Sequence, residues 1–270
     1  MKILISVDME GVSGVVKFDH VDSKHKEYER FRRLMTSEAN AAIEGALAGG
    51  ADKIVINDSH GGMTNVLIEN LNPAAELISG SVKPLGMMQG LDTDVSAVYL
   101  VGYHARAGTG AAVLAHTWSG RVVADVSLNG RMVGETGINA ALAGEFGAPI
   151  VLVTGDQAVT DEACALLGDI ETVAVKESIS GTAARCLHPE VAQARIREAA
   201  ERAVQLEIPP FVLENPITLR LAFRRPVNAD MAELVPGSQR VDSRTVEWVG
   251  EDMLTVFKVF WTLTALAWTG

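Results

Sequence analysis

The feature that most constrains this chain is a repeated pairing of a short apolar, β-branched run with a polar, glycine-containing tail. Lys2 to Val7 reads as a buried strand, followed at once by Asp8, Glu10, Gly11 and Gly14. Lys53 to Asn57 repeats the pattern with Asp58-Ser59-His60-Gly61-Gly62, and Val95 to Val101 repeats it with Gly102-Tyr103-His104. Continuous apolar runs of this length mark strands covered on both faces. Helical patterns lie between them, over Lys24 to Leu47 (closed by Gly49-Gly50), near Asn65 to Leu71, and over Gly134 to Phe146. Further strands are predicted over Glu76 to Ser79, Pro149 to Thr154 and Thr172 to Lys176, with a helix between the last two. The alternation predicts an α/β fold, a mostly parallel sheet with helices on both faces.

Two stretches depart from this pattern. Arg121 to Val133 alternates and contains Asn129-Gly130, a strong hairpin signal. Past Pro189 a charged helix ends near Leu206, Pro209-Pro210 breaks the chain, and short strands follow over Ile217 to Phe223 and Thr245 to Val249. The expected division is an α/β domain over residues 1–190 and a smaller α+β region over 191–270, packing on the first and mediating oligomerisation. The C-terminal run from Met253 to Trp268 carries Lys258 and falls short of the ~20 apolar residues of a membrane span. It is expected to be a buried or subunit-facing helix.

Composition narrows the function. A hydrophobic share of 48% excludes a disordered chain, and a net charge of −11 argues against nucleic acid as the main partner. Cys164 and Cys186 are far apart and outside any CxxC pattern, so neither a disulfide framework nor a structural zinc site is expected. The apolar start is too short for a signal peptide and ends in a carboxylate. A cytoplasmic protein without a membrane partner is the expectation.

The strand tails carry the candidate chemistry. Asp8 and Glu10 are two apart, so an extended chain turns both carboxylates to one side. Alone, such a pair also suits solvated loop acids. His60 and His104 lie just past the ends of two other predicted strands, and three strand ends delivering Asp/Glu, His and His to one rim form a plausible metal set. Glu135 opens a helix, where capping explains it equally well. His116, in Ala115-His116-Thr117-Trp118, reads either as a proton shuttle beside a metal or as a core histidine. Asn57, Asp58, Ser59 and Asn139 are candidates for orienting the ligands, with turn or cap roles as the alternative.

Taken together, the segments resemble the D-aminopeptidase family of dinuclear zinc metallopeptidases. The resemblance runs in order along nearly the whole chain. It is carried by Ser6-Val7-Asp8-Met9-Glu10-Gly11-Val12-Ser13-Gly14, Asn57-Asp58-Ser59-His60, Ile78-Ser79-Gly80, Val82-Lys83-Pro84, Gly102-Tyr103-His104-Ala105-Arg106-Ala107, His116-Thr117, Asn129-Gly130, Gly134-Glu135-Thr136-Gly137-Ile138-Asn139-Ala140, Val175-Lys176 and the closing Asp252-Met253-Leu254 region. It implies two zinc ions per chain, one held by Asp8, Glu10 and His60 and the other by Asp8, His104 and Glu135, with Asp8 bridging. It implies that His116 is catalytic, and that the substrate is a short peptide whose N-terminal residue, a D-residue such as D-alanine, is released. A homo-oligomer, a decamer of two stacked pentameric rings, is implied as well. Two rivals stand beside this reading. One is another amidase or a phosphoesterase using the same dinuclear centre. The other is a non-catalytic α/β binding module of a peptide transport system, although Gly11 and Gly14 do not form the glycine-rich phosphate loop that a nucleotide-binding module would need.

Overall fold

The computed structural model describes residues Met1 to Gly270. The chain begins with β1 (Lys2–Val7), α1 (Tyr28–Ala48), β2 (Lys53–Asp58), β3 (Ala75–Ile78) and β4 (Val95–Tyr103). A hairpin of β5 (Val123–Leu128) and β6 (Arg131–Met132) precedes α2 (Glu135–Glu145), β7 (Ile150–Asp156) and α3 (Gln157–Leu167). Then come β8 (Glu171–Ser180), β9 (Ala183–Cys186), α4 (Pro189–Ala203), β10 (Ile217–Phe223) and α5 (Pro226–Ala232). The chain closes with β11 (Gln239–Arg240), β12 (Thr245–Gly250) and α6 (Met253–Ala267).

The main sheet has seven strands in the order β3-β2-β1-β4-β7-β8-β9, all parallel except β9. Along β1, Ile3, Ile5 and Val7 join the core beneath α1 and α4, while Leu4 joins the core on the opposite face with residues of α2, α3 and α6. This is the period-two alternation of a strand covered on both sides. The expected α/β architecture with helices on both faces is therefore present.

The second sheet is antiparallel, in the order β11-β12-β10-β5-β6. It draws on both expected regions. The hairpin strand β5 buries Val123, Val126 and Leu128, and β10 extends that face edge to edge by setting Leu221 beside Val126 and Leu219 beside Leu128. Conversely, α4 packs on α1 and belongs to the main layer. The strand expected to stop at Lys176 continues to Ser180 and returns as β9. Past Lys176 its residues are mostly exposed, so this half is a projecting hairpin and lacks the apolar signal of a core strand. The C-terminal run forms α6 and buries Met253, Val256, Phe257, Phe260, Leu263 and Ala267 within the chain. No helix is long and apolar enough to cross a membrane.

The sheet order places a switch point at β1, with β2 on one side and β4 on the other. The connections leave these strands in opposite directions, so a crevice opens beyond their C-terminal ends, where ligands bind in open α/β sheets. The crevice floor is backbone against backbone. Gly11 N–H donates to Gly102 O at 2.7 Å, and a Cβ on Gly11 would sit 1.9 Å from Tyr103 O. Gly102 itself has φ +73°, in the left-handed region, with Asp8 O 2.3 Å from where its Cβ would be.

Gly11→Ala is expected to push the ends of β1 and β4 apart and to cost about 1–3 kcal/mol or more in urea unfolding. An unchanged midpoint would mean that the two strand ends separate freely.

Candidate metal centre

Asp8 and Glu10 leave the end of β1, His60 follows β2, His104 follows β4, and Glu135 is the first residue of α2. The five side chains converge at the switch point, each between 1% and 7% exposed. His116 joins them from the loop before β5 and is partly buried. All six candidates thus meet at one place.

They form two groups whose nitrogen and carboxylate oxygen atoms lie within 4.8 Å of one another: Asp8, Glu10 and His60, and His104, His116 and Glu135. Nδ1 of His60 is 3.2 Å from Asp8 Oδ1 and 2.9 Å from Glu10 Oε2. Nε2 of His104 is 3.5 Å from Asp8 Oδ2 and 3.5 Å from Glu135 Oε2. Asp8 thereby faces both groups, one oxygen toward each. The rings of His104 and His116 stack at 4.0 Å, and His116 Nε2 is 3.9 Å from Glu135 Oε1.

The donor set suits a divalent cation. Asp8 Oδ2, Glu10 Oε2 and His104 Nε2 are buried, and none has a hydrogen bond of acceptable geometry. His60 Nδ1, though close to Glu10 Oε2, is misaligned for one. Buried polar atoms are almost always paired, and carboxylate oxygens mixed with imidazole nitrogens are what zinc and its neighbours take as ligands.

The charges lean on one another. Burial raises Asp8 to about 7, and the charge of Glu10 adds to the effect. Burial also works to raise Glu10, but the charge of His60 and the contact with it hold Glu10 well below its ordinary value. Burial works to lower both His60 and His104. Glu10 and Asp8 outweigh it at His60, which lies well above its ordinary value, and Glu135 and Asp8 bring His104 up to about 10. His116 goes the other way, lowered by burial and then by the charge of the stacked His104.

A polar network under the ligands holds them in place. Ser6 Oγ bonds Ser59 Oγ at 2.6 Å and Tyr103 Oη at 2.6 Å, and donates to Met87 O at 2.7 Å. Asn139 donates to Tyr103 Oη at 2.9 Å. Asp58 accepts the backbone N–H groups of Asn65 and Val66, which closes the loop that bears His60. Lys83, fully inside, donates to Asn57 Oδ1 at 2.7 Å and to Asp58 O. The four residues proposed to orient the ligands are therefore all buried in this network, and Asp58 does so by shaping a turn.

Above the ligands lies a cavity of about 260 Å³, walled by Met63, Met87, Ser81, Trp118 and Trp261. The Trp118 ring packs edge-on against Phe257, Phe260 and Trp261 of α6, and the Trp118 backbone N–H donates to Glu135 Oε1 at 2.6 Å. Met63, Leu114 and Trp118 have φ between +54° and +61°, rarely adopted by non-glycine residues. Such strain costs on the order of 1–3 kcal/mol per residue and is held where surrounding structure enforces it. Sequence reasoning missed this wall. Trp118 directly follows His116-Thr117, which was a usable signal, but Trp261 lies in a helix read only as buried or subunit-facing.

Known proteins match this chain throughout. A model of the family described as D-aminopeptidase matches residues 1–262. A D-aminopeptidase of Bacillus subtilis (strain 168) is 38% identical over 279 aligned residues, covering 99% of this chain and 98% of that protein. Among solved structures, the Zn-dependent D-aminopeptidase DppA from Bacillus subtilis, a self-compartmentalizing protease, superposes with a TM-score of 0.97 at 37% identity, covering 100% of this chain and 99% of that one.

Metal uptake has a proton signature. With His60 and His104 held above neutrality by their carboxylates, the metal-free protein carries a proton on each at pH 7. Ligation needs neutral imidazole and ionised carboxylate, so adding zinc in weak buffer is expected to release about two to three protons per chain at that pH, one from each histidine and part of one from Asp8, with affinity rising toward higher pH. Titration with a pH indicator reads this directly, and uptake without proton release would mean the histidines were already neutral.

Proposed function

The chain belongs to the D-aminopeptidase family, and from that premise we propose that it is a zinc-dependent aminopeptidase that removes the N-terminal D-residue, such as D-alanine, from short peptides. The observation that carries the reading is the placement of Asp8. Its two oxygens lie 3.2 Å from His60 Nδ1 and 3.5 Å from His104 Nε2, so one carboxylate serves two ligand groups. In this proposal Asp8, Glu10 and His60 hold one zinc ion, and His104 and Glu135 hold a second that shares Asp8.

Bound there, such a pair supplies Lewis-acid polarisation of the scissile carbonyl and a water made nucleophilic near neutral pH. The protein's own groups do the rest. The Nδ1–H of His116 donates to Leu114 O at 2.8 Å, which fixes the tautomer and leaves Nε2 free on the cavity side. Kept neutral by burial, that nitrogen is ready to take a proton and hand it to the leaving amine. The backbone N–H of Trp118 holds Glu135 in place, and Trp118 and Trp261 wall one side of the cavity. Five ligand side chains leave room for water and for the free amino group of a peptide.

A peptide fits the cavity better than a phosphoester does. No arginine or lysine lines it, and Arg106 instead faces Asp125 at 3.8 Å. The proposal extends to assembly: a ring-forming oligomer, a decamer in its full form, working in the cytoplasm. Supporting this, the solved relative is a self-compartmentalizing protease, and Val82, 84% exposed, lies with Pro84, Trp261 and Leu266 in an apolar groove beside the cavity.

A screen of matched D- and L-dipeptides should give turnover of D-alanyl peptides that a chelator abolishes and zinc restores. Turnover of a phosphoester without peptide turnover overturns the proposal. His116→Ala is expected to lower kcat by about 10²–10⁴-fold while bound zinc is unchanged, as read by metal analysis. Asp8→Ala should do the reverse and lose metal first.

A further inference from the structure

The loop that delivers Asp8 and Glu10 is gripped from below by a residue that the proposed chemistry does not use. Lys176, in β8, is 2% exposed. Its ammonium donates to three carbonyls of this one loop, those of Glu10, Val12 (3.0 Å) and Val15 (2.6 Å). An ammonium has three donors and no acceptor, so its whole capacity is spent here. From the other side, Glu38 of α1 accepts the Ser13 N–H at 2.8 Å. The loop is therefore pinned through both its carbonyls and an N–H.

The same strand reaches the other half of the site. Lys176 sits opposite Asp156 in the β7–β8 register. The Asp156 carboxylate accepts the Val113 N–H at 2.8 Å and caps α3 at Val159 at 3.1 Å. Next along the chain, Leu114 donates its N–H to Gly181 O, in the turn between β8 and β9, at 3.0 Å, and its carbonyl holds His116. One strand pair thus fixes the Glu10 loop at one rung and the His116 loop at the same rung and at the hairpin tip.

We infer that Lys176 is a positioning residue that holds the Glu10 loop in register with the His116 loop and thereby sets the metal affinity of the centre. This rests on the metal-centre reading above. Its sign is distinctive. A positive charge near a cation site weakens cation binding through space, so removing the charge alone would tighten binding. Removing the grip lets the Glu10 backbone, and with it a ligand oxygen, move away and weakens binding.

The test measures zinc affinity by competition with a chromophoric chelator, on the full-length wild type, Lys176→Met and Lys176→Gln, beside the unfolding midpoint of each metal-free protein. Lys176→Met is expected to bind zinc about 10–100-fold more weakly, the range seen when groups supporting metal ligands are removed. Lys176→Gln keeps two N–H donors without the charge and should lose less. Folded Lys176→Met that binds zinc as tightly as wild type, or more tightly, overturns the inference, even if its unfolding midpoint falls. If Lys176→Met does not fold, Lys176→Gln carries the comparison, and failure of both to fold assigns Lys176 to the fold alone and overturns it too. Wild type that binds no zinc instead overturns the metal-centre reading itself, so the two failures are distinguishable.

Discussion

Asp8, Glu10 and Glu135 stand almost out of water at the end of one sheet, where an uncompensated carboxylate costs several kcal/mol. The surroundings answer that cost from every side. His60 and His104 face the oxygens, and the first turn of α2 lends its dipole to Glu135. Lys176, lowered to about 8 by burial, places positive charge beneath the Glu10 carbonyl. In the proposed two-zinc centre, two divalent cations would set four positive charges against these three carboxylates.

The sheet makes this concentration of charge possible without long loops. Because β1 lies between β2 and β4, three strand ends deliver ligands to one crevice, and each ligand sits within three residues of its strand. The network of Ser6, Ser59, Tyr103 and Asn139 then ties those ends together under the site. Orientation comes from fixed neighbours, which is how metal ligands keep their geometry before the metal arrives.

Asp8, Glu10, His60 and His104 were legible in the sequence because each directly follows an apolar strand, and strand ends are where open α/β sheets build sites. Glu135 and His116 became legible only through the family resemblance, since a helix-opening acid and a lone histidine have ordinary structural uses. Lys176 ends a predicted strand and lies in a stretch that carries the resemblance, but its task depends on β8 lying beside β7 and on a hairpin whose exposed half has no apolar signal. The second sheet was hidden for a related reason. Strands near residues 125 and 220 look like unconnected hairpin fragments until their apolar faces are paired. What local patterning conveys is each element and its face. What it omits is which distant face answers it.

The cavity wall carries a consequence for the order of assembly. Asp8 is made long before Trp261, yet both line one space. Domains tend to form from the N-terminus as the chain emerges, so the acids and histidines of the main sheet gather before α6 exists. Trp118, which leans on Phe257, Phe260 and Trp261, has no wall to rest on until then. A growing chain therefore carries the ligands of a hydrolytic centre without the chamber that encloses it. α6 supplies this side of the chamber only once residues 253–267 have been made, so the site gains its wall later than its acids.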